Sequence, residues 1–201
     1  MIRLDCATGN PGKLREFRMA AQDNPVEIEL LAGYREIPPC VEDGATFEEN
    51  AVIKALHYAP HTSGLLFADD SGLEVDGLGG APGVFSARFA GPRASDEANN
   101  RLLVEKLRGV ENRSARFVCA IALAEGGRIL RVYRAHVEGQ IIDEPRGPAG
   151  FGYDPLFWSP ALGCTFGEAT DEQKFALSHR GQALRAMLAD LHENPPAGVQ
   201  P

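Results

Sequence analysis

Three features of the chain predict an α/β or α+β fold. Short apolar runs at residues 2–7, 26–32 and 64–69 alternate with segments of helical periodicity. Two longer runs, 115–124 and 129–137, are joined by Gly126-Gly127 and read as a central β-hairpin. Two loops rich in Gly and Pro, 77–92 and 146–155, are placed to feed a cleft.

Each element has a local reason. Ile2 to Ala7 reads as a buried strand. Pro11 suits the first turn of a helix with Asn10 as its cap, and Leu14, Phe17 and Ala21 continue at helical spacing. Val26 to Ala32 alternates as a second strand, and a loop from Gly33 to Gly44 follows. Thr46 and Glu49 form a capping box, with Val52, Ala55, Leu56 and Ala59 as the apolar stripe of that helix. Gly64 to Asp69 is a short strand that Ser71-Gly72 breaks, and Leu73 to Asp76 is another. Ser95 to Leu107 reads as a helix. Thr170 and Gln173 form a further capping box, and Leu184, Met187, Leu188 and Leu191 stripe the last long helix. Residues 1–193 form a single domain and 194–201 a loose tail.

Composition narrows the function. With 201 residues, 44% hydrophobic and 24% charged, the chain can build a sizeable core and is not disordered. The 28 acidic against 20 basic residues give a net charge of −8, which argues against bulk nucleic-acid binding. A local pocket with a metal can still take a small anion. No apolar run approaches the roughly 20 residues of a membrane span. MIRLDCATGN lacks a signal-peptide layout, so a cytoplasmic location is expected. Cys6, Cys40, Cys119 and Cys164 form no CxxC pair and are expected to be free, small buried hydrophobes.

Five places can carry chemistry. Thr8, Gly9, Asn10, Pro11, Gly12 and Lys13 link a strand to a helix start, where free N–H groups and an ammonium suit an anion. Their spacing is not that of a P-loop. Asp69 and Asp70 end an apolar strand, where carboxylates are costly unless paired or bound to a hard cation. Neighbours on a strand point to opposite faces, so one of the two enters the cleft and the other braces the loop. Asn50 and Lys54 share a helix face at i and i+4, opposite the apolar stripe, and Glu42 is a lone loop carboxylate. Gly150-Phe151-Gly152-Tyr153-Asp154 puts two aromatics between glycines, a pattern suited to stacking on a planar base. Lys174 with His179 and Arg180 can donate to oxo groups or phosphates.

Together these stretches resemble the inosine/xanthosine triphosphate pyrophosphatase family of house-cleaning enzymes. The matching segments are ATGNPGK (7–13), EDGATFEENAVIKA (42–55), ADDSGLEVDGLGGAPGVFSARFAG (68–91), GFGYDP (150–155) and SHRGQAL (178–184). They stand in the family's order and span nearly the whole chain. The resemblance implies a mixed twisted sheet in two lobes around a central nucleotide-binding cleft, and a homodimer. It implies Mg²⁺-dependent hydrolysis of ITP, dITP and XTP to the monophosphate and pyrophosphate.

Carried over by position, Thr8 to Lys13 cradle the triphosphate. Asp70 is the catalytic carboxylate and a magnesium ligand, Glu42 is a second metal-site acid, and Asp69 supports them. Asn50 and Lys54 lie near the phosphates, and Ser71 is a substrate contact. Phe151, Gly152, Tyr153 and Asp154 hold the base, and Lys174, His179 and Arg180 read its oxo edge. A nucleotide binder without turnover has no need of this acidic site, and a nucleic-acid module lacks its basic stripe.

Overall fold

The computed structural model describes residues 2–22 and 24–196. The strands are β1 (Ile2–Cys6), β2 (Val26–Leu30), β3 (Leu65–Val75), β4 (Ser114–Glu125), β5 (Arg128–Ile141), β6 (Phe157–Ser159) and β7 (Cys164–Thr165). The helices are α1 (Pro11–Ala20), α2 (Phe47–Tyr58), α3 (Asp96–Lys106), α4 (Asp171–Leu177) and α5 (His179–Glu193). All seven strands join one mixed sheet in the order β2-β1-β3-β4-β5-β6-β7. The α/β reading therefore holds. β1 runs parallel to β2 with Leu4 opposite Ile28, and parallel to β3 with Leu4 opposite Leu65. β6 runs antiparallel to both β5 and β7.

The chain divides into two compact units. The first comprises Met1–Asp70, Cys119–Ala135 and Arg180–Pro201. Its core packs Leu4, Phe17, Phe67 and Ile121 with Leu184, Met187 and Leu191 of α5. The second comprises Ser71–Val118 and His136–His179. Its core holds Leu73, Leu103, Phe117, Phe157 and Phe166. β3, β4 and β5 each give residues to both units. The burial of residues 117–124 on both faces of β4 follows from its central place in the sheet.

Most local signals act as expected. Gly126 and Gly127 take φ of +56° and +76°, the left-handed pair that a two-residue hairpin turn requires. Thr170 and Gln173 complete their capping box in both directions. Thr46 caps α2 through Glu49 N, but the Glu49 carboxylate accepts from Ala45 N rather than from the cap residue. The loose tail expected at 194–201 lies, from 197 on, outside the described residues. Cys6 and Cys119 are buried as expected, while Cys40 and Cys164 are only partly so, and all four are free thiols.

Two expectations are corrected. Ser71-Gly72 does not break a strand, because β3 runs unbroken from Leu65 to Val75. Gly72 is there for close approach. A Cβ at this position would lie 2.7 Å from Gly83 O and 2.9 Å from Ser86 Cβ. The Leu73 N–H donates to Ser86 Oγ at 2.8 Å. The face of α2 is also different. Its buried residues are Phe47, Asn50, Ala51, Lys54, Ala55 and Tyr58, and Leu56 is 42% exposed. Asn50 and Lys54 therefore share the buried face instead of opposing it. They are tolerated there because each polar head has a partner.

Candidate functional site

The first unit gathers six of the nominated side chains. Lys13 Nζ donates to Asp69 Oδ2 at 2.8 Å. Lys54 Nζ lies 3.0 Å from Glu42 Oε2 and donates to the Asp69 carbonyl at 2.9 Å. Asn50 Nδ2 donates to Asp70 Oδ2 at 3.0 Å, while its Oδ1 accepts from Gly44 N at 2.8 Å. Asn50 thus ties the Glu42 loop to the end of the β3 segment that carries the acids. α2 supplies Asn50 and Lys54 one turn apart, and the alternation of β3 gives Asp69 and Asp70 different surroundings.

Those surroundings act oppositely on the two acids. Asp69 is 1% exposed. Its burial works to raise the carboxyl, but Lys13, Lys54 and Arg180 outweigh burial and hold it below the usual range. For Asp70 burial wins over Lys13, Lys54 and Asn50, and the carboxyl is pushed above the usual range. Lys54 is held above its ordinary value, since Asp69, Glu42 and Asp70 outweigh the desolvation that would lower it.

In the loop before α1, three of the N–H groups expected to be free are already bonded. Asn10 Oδ1 accepts from Gly12 N at 2.8 Å and from Lys13 N at 3.2 Å. Thr8 Oγ1 accepts from Asn10 N at 3.2 Å. The cap consumes these donors within the loop. The Lys13 ammonium, held by Asp69, is the charged group that the segment from Thr8 to Lys13 offers an anion.

The second unit assembles the aromatic loop. Gly150 and Gly152 flank Phe151 with φ of +78° and +62°. Asp154 Oδ2 accepts from Phe151 N at 2.8 Å and from Lys174 Nζ at 2.6 Å. The Lys174 ammonium lies 5.1 Å from the centre of the Phe151 ring. Tyr153 is buried and donates its hydroxyl to Ser86 O at 2.8 Å, so it fixes the loop from behind. His179 stacks on Phe117, with centroids 4.9 Å apart and rings inclined by 11°. Ser71, partly buried, follows Asp70 along β3.

Arg180 belongs to the first unit, where it pairs with Glu16 Oε2 at 2.9 Å. Periodicity reads a lone acid such as Glu16 as solvated. Nothing local marks a partner 164 positions away. Ser86, Asp96 and Asn100 were also missed. Asp96 Oδ2 accepts from Gly152 N at 2.6 Å and Asn100 Nδ2 donates to Gly152 O at 3.0 Å. Their i, i+4 spacing was a signal only for a shared helix face.

The donor set suits a hard divalent cation that arrives with phosphates. Among the described residues, no group of three or more His, Cys, Asp or Glu side chains is drawn together as a preformed metal cage. Mg²⁺ bound with a nucleotide needs only one or two carboxylates. In the cluster of the first unit, Glu42, Asp69 and Asp70 supply three carboxylates against the ammoniums of Lys13 and Lys54. The residual negative charge and the unfavourable burial of Asp70 both favour a cation there.

The model of the Ham1 family matches residues 4–190. A dITP/XTP pyrophosphatase of an Exiguobacterium species is 50% identical over 94% of this chain and 97% of its own length. One from Thermus thermophilus is 47% identical over 97% and 94%. Among solved structures, a HAM1 protein from Coxiella burnetii is similar with a TM-score of 0.85 and 40% identity over 96% of this chain and 100% of its own. The Staphylococcus aureus Ham1 protein gives 0.84 and 38% over 95% and 98%. A match that runs almost from end to end, in sequence and in fold alike, means that the chain belongs to the Ham1 family.

Proposed function

We propose that this protein hydrolyses non-canonical purine nucleoside triphosphates, ITP, dITP and XTP, to the monophosphate and pyrophosphate. The observation that carries the reading is the interlocked set Lys13–Asp69, Lys54–Glu42 and Asn50–Asp70. Transfer of a phosphoryl group needs charge neutralisation and positioning more than covalent help. Lys13 and Lys54 meet the phosphate charge, and Asp69 holds Lys13 in place. Asp70 and Glu42 would hold Mg²⁺, which when bound screens the phosphate oxygens. Asp70 accepts the proton of the attacking water while Asn50 fixes the orientation of its carboxylate. Water adds its oxygen to phosphorus, the bridge between the α and β phosphates breaks, and pyrophosphate leaves.

Base recognition falls to the second cluster. Phe151 stacks on the purine, and Asp154 sets both the Phe151 backbone and the Lys174 ammonium. Lys174, His179 and Arg180 are the donors for the 6-oxo edge. Adenine presents an amino donor there, and a buried donor left facing it discriminates by about 10⁴ or more. The resemblance supports a homodimer at work in the cytoplasm. Among the described residues, no helix is long and apolar enough to cross a membrane.

The test is pyrophosphate release from XTP, ITP, ATP and GTP, with Mg²⁺ and with EDTA, for the wild type and Asp70→Asn. The expected result is fast Mg²⁺-dependent release from XTP and ITP. ATP should be slower by orders of magnitude, and the folded variant should release nothing measurable. Wild-type turnover by Asp70→Asn would remove Asp70 from the chemistry. No release by the wild type from any nucleotide would reduce the site to a binder.

A further inference from the structure

We infer that Asp96 and Asn100 of α3 are positioning residues for base selection: a two-point clamp that fixes the peptide groups on both sides of Gly152. The inference rests on the reading that Phe151 stacks on the purine. Asp96 takes the Gly152 N–H at 2.6 Å, and Asn100 gives its amide to the Gly152 carbonyl at 3.0 Å. Two residues at i and i+4 on one helix face therefore hold both polar groups of a single loop residue. The residue they hold needs it. Gly150 and Gly152 both lie in the left-handed region, and glycines lose more conformational freedom on ordering than any other residue.

Packing holds the loop from the Tyr153 side only. A cavity of about 730 Å³ opens beside the loop, lined by Asp96, Asn100, Arg101, Gly150, Phe151 and Gly152 among others. The flank of the loop is therefore not pressed against solid core, and hydrogen bonds set its geometry. Asp154 holds both the N–H and the carbonyl of Phe151 from within the loop, and the α3 pair holds the N–H and the carbonyl of Gly152. The backbone that carries the Phe151 ring is thereby fixed before a base arrives, so the ordering cost of the loop is met in folding rather than in binding. A helix-dipole role alone would explain an acid in the first turn of α3. It explains neither its bond to Gly152 nor the matching donor one turn on.

The experiment is steady-state kinetics with XTP, ITP and ATP on Asp96→Ala, Asp96→Asn, Asn100→Ala, Asn100→Asp and Phe151→Ala, with thermal unfolding of each. KM for XTP and ITP is expected to rise about tenfold or more in both alanine variants, with kcat falling by less than about threefold. Selectivity over ATP should shrink in parallel. Asp96→Asn keeps an acceptor for the N–H and should recover much of the loss. Asn100→Asp turns a carboxylate toward a carbonyl oxygen and should be worse than alanine. Wild-type KM and selectivity in folded alanine variants, beside a raised KM in Phe151→Ala, would overturn the clamp alone. So would a loss confined to kcat, or an Asp96→Asn variant no better than Asp96→Ala. A Phe151→Ala variant with wild-type KM and selectivity would overturn the base-loop reading, and the clamp with it.

Discussion

Asp69 and Asp70 are neighbours in sequence with opposite electrostatic fates. The sequence marks both as costly on an apolar strand, but spacing alone cannot assign their roles, because the partners that decide come from α1, α2 and the Glu42 loop. Asp69 is buried against Lys13 and kept ionised, whereas burial makes Asp70 reluctant to ionise. Because the folded-state value of Asp69 is depressed, its stabilisation is complete above the unfolded value of about 3.9 and fades as pH falls through the folded one. Asp69→Asn leaves the Lys13 ammonium, only 14% exposed, without its counter-charge. We expect it to cost about 3 kcal/mol at pH 7, with the gap to wild type narrowing below pH ~4. Urea unfolding at pH 7 and pH 3 checks this, and a gap of equal size at both would show that the charge of Asp69 contributes nothing to folding.

At the scale of elements, signals that act within a few residues were readable and those that act across the chain were not. The Asn10 cap, the Thr170 box and the Gly126-Gly127 turn each close within three residues, so sequence alone places them. The buried face of α2 was misread, because periodicity ranks Leu56 above Lys54 until the partners of Lys54 are known. Gly72 was misread for the same reason. It reads as a breaker, yet it permits β3 to continue past Gly83 and Ser86. Adding one methyl there forces the strand away from both. Gly72→Ala should cost about 1–3 kcal/mol, as over-packing of a tight site does. The loss in turnover should exceed what the unfolded fraction explains, since Ser71 and Asp70 are the next residues along the strand. Denaturant titration paired with the rate per folded molecule tests it. Unchanged stability would mean that the Ser86 turn yields freely.

Across the whole molecule, a net charge of −8 coexists with a site expected to bind a polyanionic ligand. The conflict is local, and a bound cation would resolve it locally. The α/β class was legible because apolar runs and helical stripes report burial directly. The ion pairs of the site were not, since pairs such as Glu16–Arg180 join the two ends of the chain. The same distribution of forces separates folding from metal binding. Each unit has its own apolar core, and the buried acids Glu16, Asp69 and Asp154 all have basic partners. Chelation should therefore abolish pyrophosphate release without unfolding the protein, unlike a structural metal, whose removal costs folding energy outright. We expect Tm in EDTA to stay within about 1 °C of its value in Mg²⁺. Mg²⁺ with a non-hydrolysable XTP analogue at a hundred times its Kd should add about 2.7 kcal/mol, by mass action on the folded state. A Tm that drops by several degrees in EDTA alone would make the cation part of the fold, and the pairing of the acids by lysine and arginine would then be insufficient to hold the site together.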